Sequence, residues 1–352
     1  MTLNIISDLH CGYSSKNNEV QWNGYNISNS RKRDCIYFLE NFLNKFNSKE
    51  HNIDSIDKFL SNINIIKSSI ENDFQDYDEN YISKLYSEML DYAESHNIEL
   101  YNMRLNYYLM EVSSNFKPEK LKPADYLIVA GDLGLDNSYQ KVYEDLKKRT
   151  EGKFKNIFYI KGNHDYWWFP DKNTNNVKPD MINHDHRYIE EHIDDYVILG
   201  CTLWAPVRSR NMFNVYRCMN DYRHIPEVST NDMYTSTQVV NRLYAEESKW
   251  LREKVQENKG KKIIIVTHDL PRKELVEGKF SKSEVNDAYC VMDGSCDDIK
   301  PLVWIHGHSH SRCDITIDGV RYIRNPIGYR SHYGYVPSEV IPDHWYDTVI
   351  EV

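Results

Sequence analysis

Ile157-Phe158-Tyr159-Ile160-Lys161-Gly162-Asn163-His164-Asp165 is the stretch on which the reading of this 352-residue chain turns. Four apolar, β-favouring residues run into a glycine, and then into an amide, an imidazole and a carboxylate that can bind or move charge. Open α/β sheets place their ligands in this way, at the carboxyl ends of strands. Working outward, the arrangement recurs. Leu3 to Ser7 leads to Asp8-Leu9-His10, and Tyr126 to Ala130 leads to Gly131-Asp132. Ile263 to Thr267 leads to His268, and Val303 to Ile305 leads to Gly307-His308-Ser309-His310. With Val197 to Leu199, these runs alternate with helix-like stretches and predict an α/β fold. Asp318-Gly319, between Asp314–Ile317 and Val320–Ile323, predicts a two-residue hairpin, so antiparallel strands join the parallel ones.

The residues at the strand ends share one chemistry. In an extended chain residues two apart point the same way, so Asp8 with His10, and His308 with His310, can each offer two ligands to one place. Glycine beside them lets the backbone turn and come close to a cation. Imidazole combined with carboxylate and amide oxygen suits Mn, Fe, Zn or Ni rather than Mg or Ca, which prefer all-oxygen shells. Two divalent transition ions about 3.5–4 Å apart, bridged by a shared carboxylate, acidify the water between them into a nucleophile. An imidazole that is not a ligand can protonate the leaving oxygen.

The order D-x-H, G-D, G-N-H-D, H, G-H-x-H resembles the calcineurin-like metallophosphoesterases over residues 1–12 and about 120–330. The resemblance implies a four-layer α/β/β/α sandwich, with two mixed sheets between helices and a dinuclear site at one edge. It implies Asp8, His10, Asp132 and His310 as ligands of one ion, and Asp132, Asn163, His268 and His308 as ligands of the other, with Asp132 as the bridge. His164 matches the family's general acid, and Asp165 joins it in the catalytic set. Many members orient that histidine with the last carboxylate of G-D-x-x-D; here Leu135 holds the position and Asp136 follows it. Gly200–Trp204, Met219–Ile225 and Asn325–Tyr329 resemble a bacterial and phage-like branch of the family with poorly defined substrates.

Between the first and second motifs the texture changes. Apolar residues fall at helical spacing in four stretches: Ile36 to Phe46, Ile56 to Ile63, Ile82 to Met89 and Tyr101 to Val112. Residues 31–116 are therefore read as a helical insert, and 1–30 with 117–352 as the catalytic domain. Such an insert either caps the active site or serves as a docking or oligomerisation surface.

A formal charge of −10 argues against duplex nucleic acid as a partner and leaves small phosphorylated substrates open. No apolar run spans a bilayer, and the seven scattered cysteines form no C-x-x-C pair, so a cytoplasmic protein with reduced thiols is expected. Tyr166 and Trp167, with Trp168 and Phe169, form either an aromatic wall for a nucleobase or part of the core. Arg223 and Arg330, with Arg208 and Arg210, are candidate grips for a phosphate. The expected activity is hydrolysis of a small phosphodiester or nucleotide-like ester. A protein or small-molecule phosphomonoesterase is the alternative, and a metal-stabilised scaffold acting through its insert is the alternative of another class.

Overall fold

The computed structural model describes residues 1–14, 19–21, 29–45, 56–71, 85, 88–89, 91–93, 116–134, 139–168, 186–327 and 346–352. The chain divides into two compact units, one of Met1–Trp22, Lys117–Gly328 and Asp343–Val352, the other of Asn23–Phe116 and Tyr329–Pro342. Among the described residues no helix is long and apolar enough to cross a membrane.

The smaller unit contains helices α1 (Asn29–Lys45) and α2 (Ile56–Glu71). Residues spaced three or four apart along each helix form one apolar stripe, and Cys35 and Leu39 meet Phe59, Ile63 and Ile66, with Leu85, Met89 and Ala93 completing the cluster. The fourth apolar stretch of the sequence, Tyr101 to Val112, lies outside the described residues.

The larger unit holds two mixed sheets. Its strands are β1 (Thr2–Ile6), β2 (Gly12–Ser14), β3 (Glu19–Gln21), β4 (Tyr126–Ala130), β5 (Asn156–Ile160), β6 (Tyr188–Ile193), β7 (Tyr196–Cys201), β8 (Lys262–Thr267), β9 (Val303–Ile305), β10 (Cys313–Ile317), β11 (Val320–Arg324) and β12 (Val349–Glu351). One sheet has the order β12-β1-β4-β5 and the other β10-β11-β9-β8-β7-β6, while β2 and β3 pair by themselves. Central pairs are parallel; β1–β12, β10–β11 and β6–β7 are antiparallel. The hairpin at Asp318-Gly319 forms as the sequence predicts, with both residues at positive φ.

Side-chain alternation explains why the sheets stack. Along β8, Ile264 and Val266 face the first sheet, where they meet Leu3, Ile5, Ile128, Ala130, Phe158 and Ile160. Ile263 and Ile265 point the other way and pack with Val240, Leu243 and Leu251 of helix α6 (Met233–Glu257). On the outer face of the first sheet Tyr159 stacks with Tyr143 of helix α3 (Tyr139–Arg149). Strands apolar on both faces are what two flanking helical layers require, so the layers run helix, sheet, sheet, helix. Two short helices, α4 (Met212–Cys218) and α5 (Asp221–His224), lie between β7 and α6 in the chain.

Candidate metal centre

Five loops, each following a parallel strand, converge at one edge of the two sheets. β1 supplies Asp8 and His10, β4 Asp132, β5 Asn163 and His164, β8 His268, and β9 His308 and His310. The convergence is not that of an extended chain. Asp8 (φ 53), His10 (φ 48), Asp132 (φ 54) and His308 (φ 66) all adopt left-handed backbone, which costs a non-glycine residue roughly 1–2 kcal/mol. Strain concentrated on residues of one cluster is a mark of function. His308 and His310 also part company, because His308 turns to His268 and His310 to His10.

The half of the site built around His268 shows its chemistry through its hydrogen bonds. His268 Nδ1 lies 3.0 Å from the carbonyl of Ala130, and His308 Nε2 lies 3.0 Å from the carbonyl of Ala288. Carbonyl oxygens only accept, so these nitrogens carry protons, which leaves the opposite ring nitrogens as the ones that can offer lone pairs to a cation. Those nitrogens, His268 Nε2 and His308 Nδ1, face each other at 3.0 Å, with Asn163 Oδ1 3.0 Å from His268 Nε2 and Asp132 Oδ1 at 3.4 Å. In the other half, Nε2 of His10 and Nε2 of His310 stand 3.2 Å apart, Asp8 Oδ1 is 3.6 Å from His310 and Asp132 Oδ2 is 3.7 Å from His10. Electron-pair donors aimed at one another are satisfied together by a cation. The residues present therefore fit divalent metal ions, and their mixture of nitrogen and oxygen donors fits the transition series.

Charge follows the geometry. Burial works to raise the carboxyls of Asp8 and Asp132, yet the imidazoles around them hold both below the usual carboxylate range. Burial opposes protonation of His268, but Asp132 overrides it and pushes that ring up to about 10; without an ion a second proton on Nε2 stands among these donors, and a bound cation would displace it. Burial brings His10 down to about 4 and His308 to about 3, which leaves both neutral and able to donate to a metal. Burial likewise lowers His164, assisted by the neighbouring histidines and opposed by Asp132.

Glycines keep the cluster tight. A side chain on Gly162 would run into Asp132 Oδ1 and stand 2.6 Å from His268 Cε1, and one on Gly307 would stand 2.5 Å from the Ala130 carbonyl. Backbone amides hold the carboxylates: His164 N donates to Asp132 Oδ1 at 2.9 Å, and His308 N donates to Asp8 Oδ1 at 2.9 Å.

His164 sits beside the cluster, its ring edge-on to His10 at 4.6 Å between centroids and stacked on Trp167 at 3.8 Å. Asp165 takes a different part from the catalytic one read in the sequence. Its carboxylate accepts the backbone N–H groups of Leu133, Gly134 and Gly162, at 3.3, 2.8 and 2.9 Å, and so ties two ligand loops together. Burial, followed by the charge of Asp132, raises that carboxyl to about 7. Asp165→Ala is expected to orphan three buried amides and destabilise the protein by about 2–5 kcal/mol, seen as a lowered denaturant midpoint.

The sequence-based substrate contacts are corrected in three places. Tyr166 and Trp167 are buried in the core behind the sheet, Tyr166 against Trp204 and beside the Thr202 hydroxyl, so neither forms an open wall for a base. Arg223 is exposed, but its guanidinium donates to the carbonyls of Met219 and Arg217 and staples the end of α4. Arg208 is held by Asp287. Arg330, Phe169, Leu135 and Asp136 lie outside the described residues. Asp221, which the sequence gave no reason to single out, accepts from both Asn163 and Trp167. The ring of Tyr289 also covers His308 at 4.5 Å. The carbonyls of Ala130 and Ala288 have no signal in residue type at all.

Two mixed sheets between helices, with this donor set at the strand ends, define a phosphoesterase of the metal-dependent kind. Residues 103–312, more than half of the chain, match the calcineurin-like phosphoesterase family, and the protein belongs to it. It is a hydrolase of the phosphoester type. An uncharacterized protein of Acanthamoeba polyphaga mimivirus is 24% identical over 229 residues, covering 58% of this chain and 78% of that protein. Among solved structures, the phosphopantetheinyl hydrolase of Mycobacterium tuberculosis is similar at a TM-score of 0.45 and 15% identity, over 64% of this chain and 89% of that one.

Proposed function

We propose that the protein hydrolyses a small phosphodiester at a dinuclear centre. The observation that carries this reading is the placement of Asp132, whose Oδ1 is turned to His268 and whose Oδ2 is turned to His10, as a bridging carboxylate would be. Asp8, His10, Asp132 and His310 would hold one ion, and Asp132, Asn163, His268 and His308 the other. When bound, such ions supply Lewis acidity to the phosphoryl oxygens and lower the pKa of the attacking water. Gly162 and Gly307 leave room for the ligand loops to close on one another, since a side chain at either would strike Asp132 or the Ala130 carbonyl. His164, outside both ligand sets, delivers a ring proton to the leaving oxygen; an anionic ester against the ring favours the protonated form.

A diester rather than a monoester is supported by charge. A monoester dianion asks for further cationic side chains, whereas, of the candidate grips among the described residues, Arg208 and Arg223 are committed to Asp287 and to backbone carbonyls. The acidic surface, at a formal charge of −10, favours a small substrate over duplex nucleic acid. Seven free cysteines support a reducing compartment, the cytoplasm.

Protein stripped by chelation and reloaded separately with Mn, Fe, Zn and Ni tests this on p-nitrophenyl phosphate and bis-p-nitrophenyl phosphate. Expected are loss of turnover on stripping, recovery with at least one metal, and a faster diester reaction. Full activity in stripped protein would sink the metal-dependent mechanism. A preference for the monoester would move the function to a phosphomonoesterase.

A further inference from the structure

Asn163 can offer a metal only its amide oxygen, and an amide that rotates by half a turn presents N–H groups instead. Rotation is blocked from behind. Asn163 Nδ2 donates to Asp221 Oδ1 at 2.8 Å, and a carboxylate of this kind accepts and does not donate, so Oδ1 must face His268. The same oxygen of Asp221 accepts from the indole Nε1 of Trp167 at 2.6 Å. That indole, almost wholly buried, is the surface on which His164 stacks at 3.8 Å. Asp221 opens the short helix α5, and the peptide N–H of Trp168 donates to the carbonyl of His224 at its end, so the two segments are tied twice.

We propose that Asp221 is a positioning residue that sets the amide of Asn163 oxygen-first toward the metal and seats Trp167 against His164. One buried carboxylate thereby couples a ligand of the centre to the platform of the acid. Groups behind the ligands of a metal change its affinity by about 10–100-fold when removed. The inference rests on the dinuclear reading above.

The test compares wild type, Asp221→Leu and Asp221→Asn, each stripped and titrated with Mn(II), counting bound metal per chain and monitoring folding by circular dichroism. Asp221→Asn keeps an oxygen acceptor and is expected to bind two ions within a few-fold of wild-type affinity. Asp221→Leu removes both bonds; it is expected to bind one ion normally and the second about 10–100-fold more weakly. At saturating Mn(II) its kcat on bis-p-nitrophenyl phosphate stays about tenfold low with KM little changed, because Trp167 is no longer seated. Should the leucine variant fail to unfold cooperatively, Asp221→Ser, too short to reach both donors, takes its place with the same expectation. A folded leucine or serine variant that binds both ions as tightly as wild type overturns the proposal, as does an asparagine variant impaired as much as leucine. Wild-type protein that takes up fewer than two ions overturns the dinuclear reading instead.

Discussion

Asp132→Asn is expected to cost the protein both metal ions and to lower kcat/KM by a factor on the order of 10³ or more, a loss of several kcal/mol in transition-state stabilisation. The substitution changes little in shape. It removes the charge that holds His268 and His10 on either side, the two rings lying 3.4 and 3.7 Å from separate oxygens of the one carboxylate. It also replaces an acceptor with a donor on one side, facing a lone pair or the backbone N–H of His164 that donates to Oδ1 at 2.9 Å. Metal analysis after gel filtration reads the outcome directly. Two tightly held ions in the variant would end the bridging assignment, whatever happens to turnover.

His164→Ala separates chemistry from metal binding. The ring is not among the seven proposed ligands, although its nitrogen lies within 4.8 Å of the donor atoms of His10 and Asp132, and it stacks on Trp167. Metal content is expected to stay at the wild-type value while kcat falls by about 10²–10⁴-fold, the range for loss of a general acid. The deficit should shrink as the leaving group becomes more acidic, since a good leaving oxygen needs no proton. A series of aryl phosphodiesters from p-nitrophenol to phenol measures this. Equal deficits across the series would assign His164 to ground-state binding, and loss of metal would make it a ligand.

The two substitutions probe different layers of one design. Asp132 is held by the backbone amide of His164 and by the imidazoles of His10 and His268 at a strand end, so its effect spreads to every donor that faces it. In the proposed mechanism His164, stacked on Trp167, acts at the substrate, so its effect is expected to be confined to the reaction. Asp165 belongs to a third layer, in which a buried carboxylate holds loops together and its loss is read in stability.

Residue type and spacing alone determined the α/β class, the hairpin at Asp318-Gly319 and the family motifs, because apolar β-runs and the residues that follow them are local in the chain. They also pointed to helices at Ile36 to Phe46 and Ile56 to Ile63, where an apolar stripe repeats every three or four residues, but not to their full extents, Asn29–Lys45 and Ile56–Glu71. Tertiary structure decided the rest, and the reason is distance along the chain. His10 meets His310, and Asn163 meets Asp221, only when separate strands bring their loops to one sheet edge. The left-handed backbone at Asp8, His10, Asp132 and His308 is imposed by that packing, since none of these residue types prefers it strongly enough to announce it. Burial, which turned Tyr166 and Trp167 from candidate substrate contacts into core, depends on which side of a strand end the aromatic rings fall. The proton positions on His268 and His308 were set by two backbone carbonyls, those of Ala130 and Ala288, whose direction only the fold fixes.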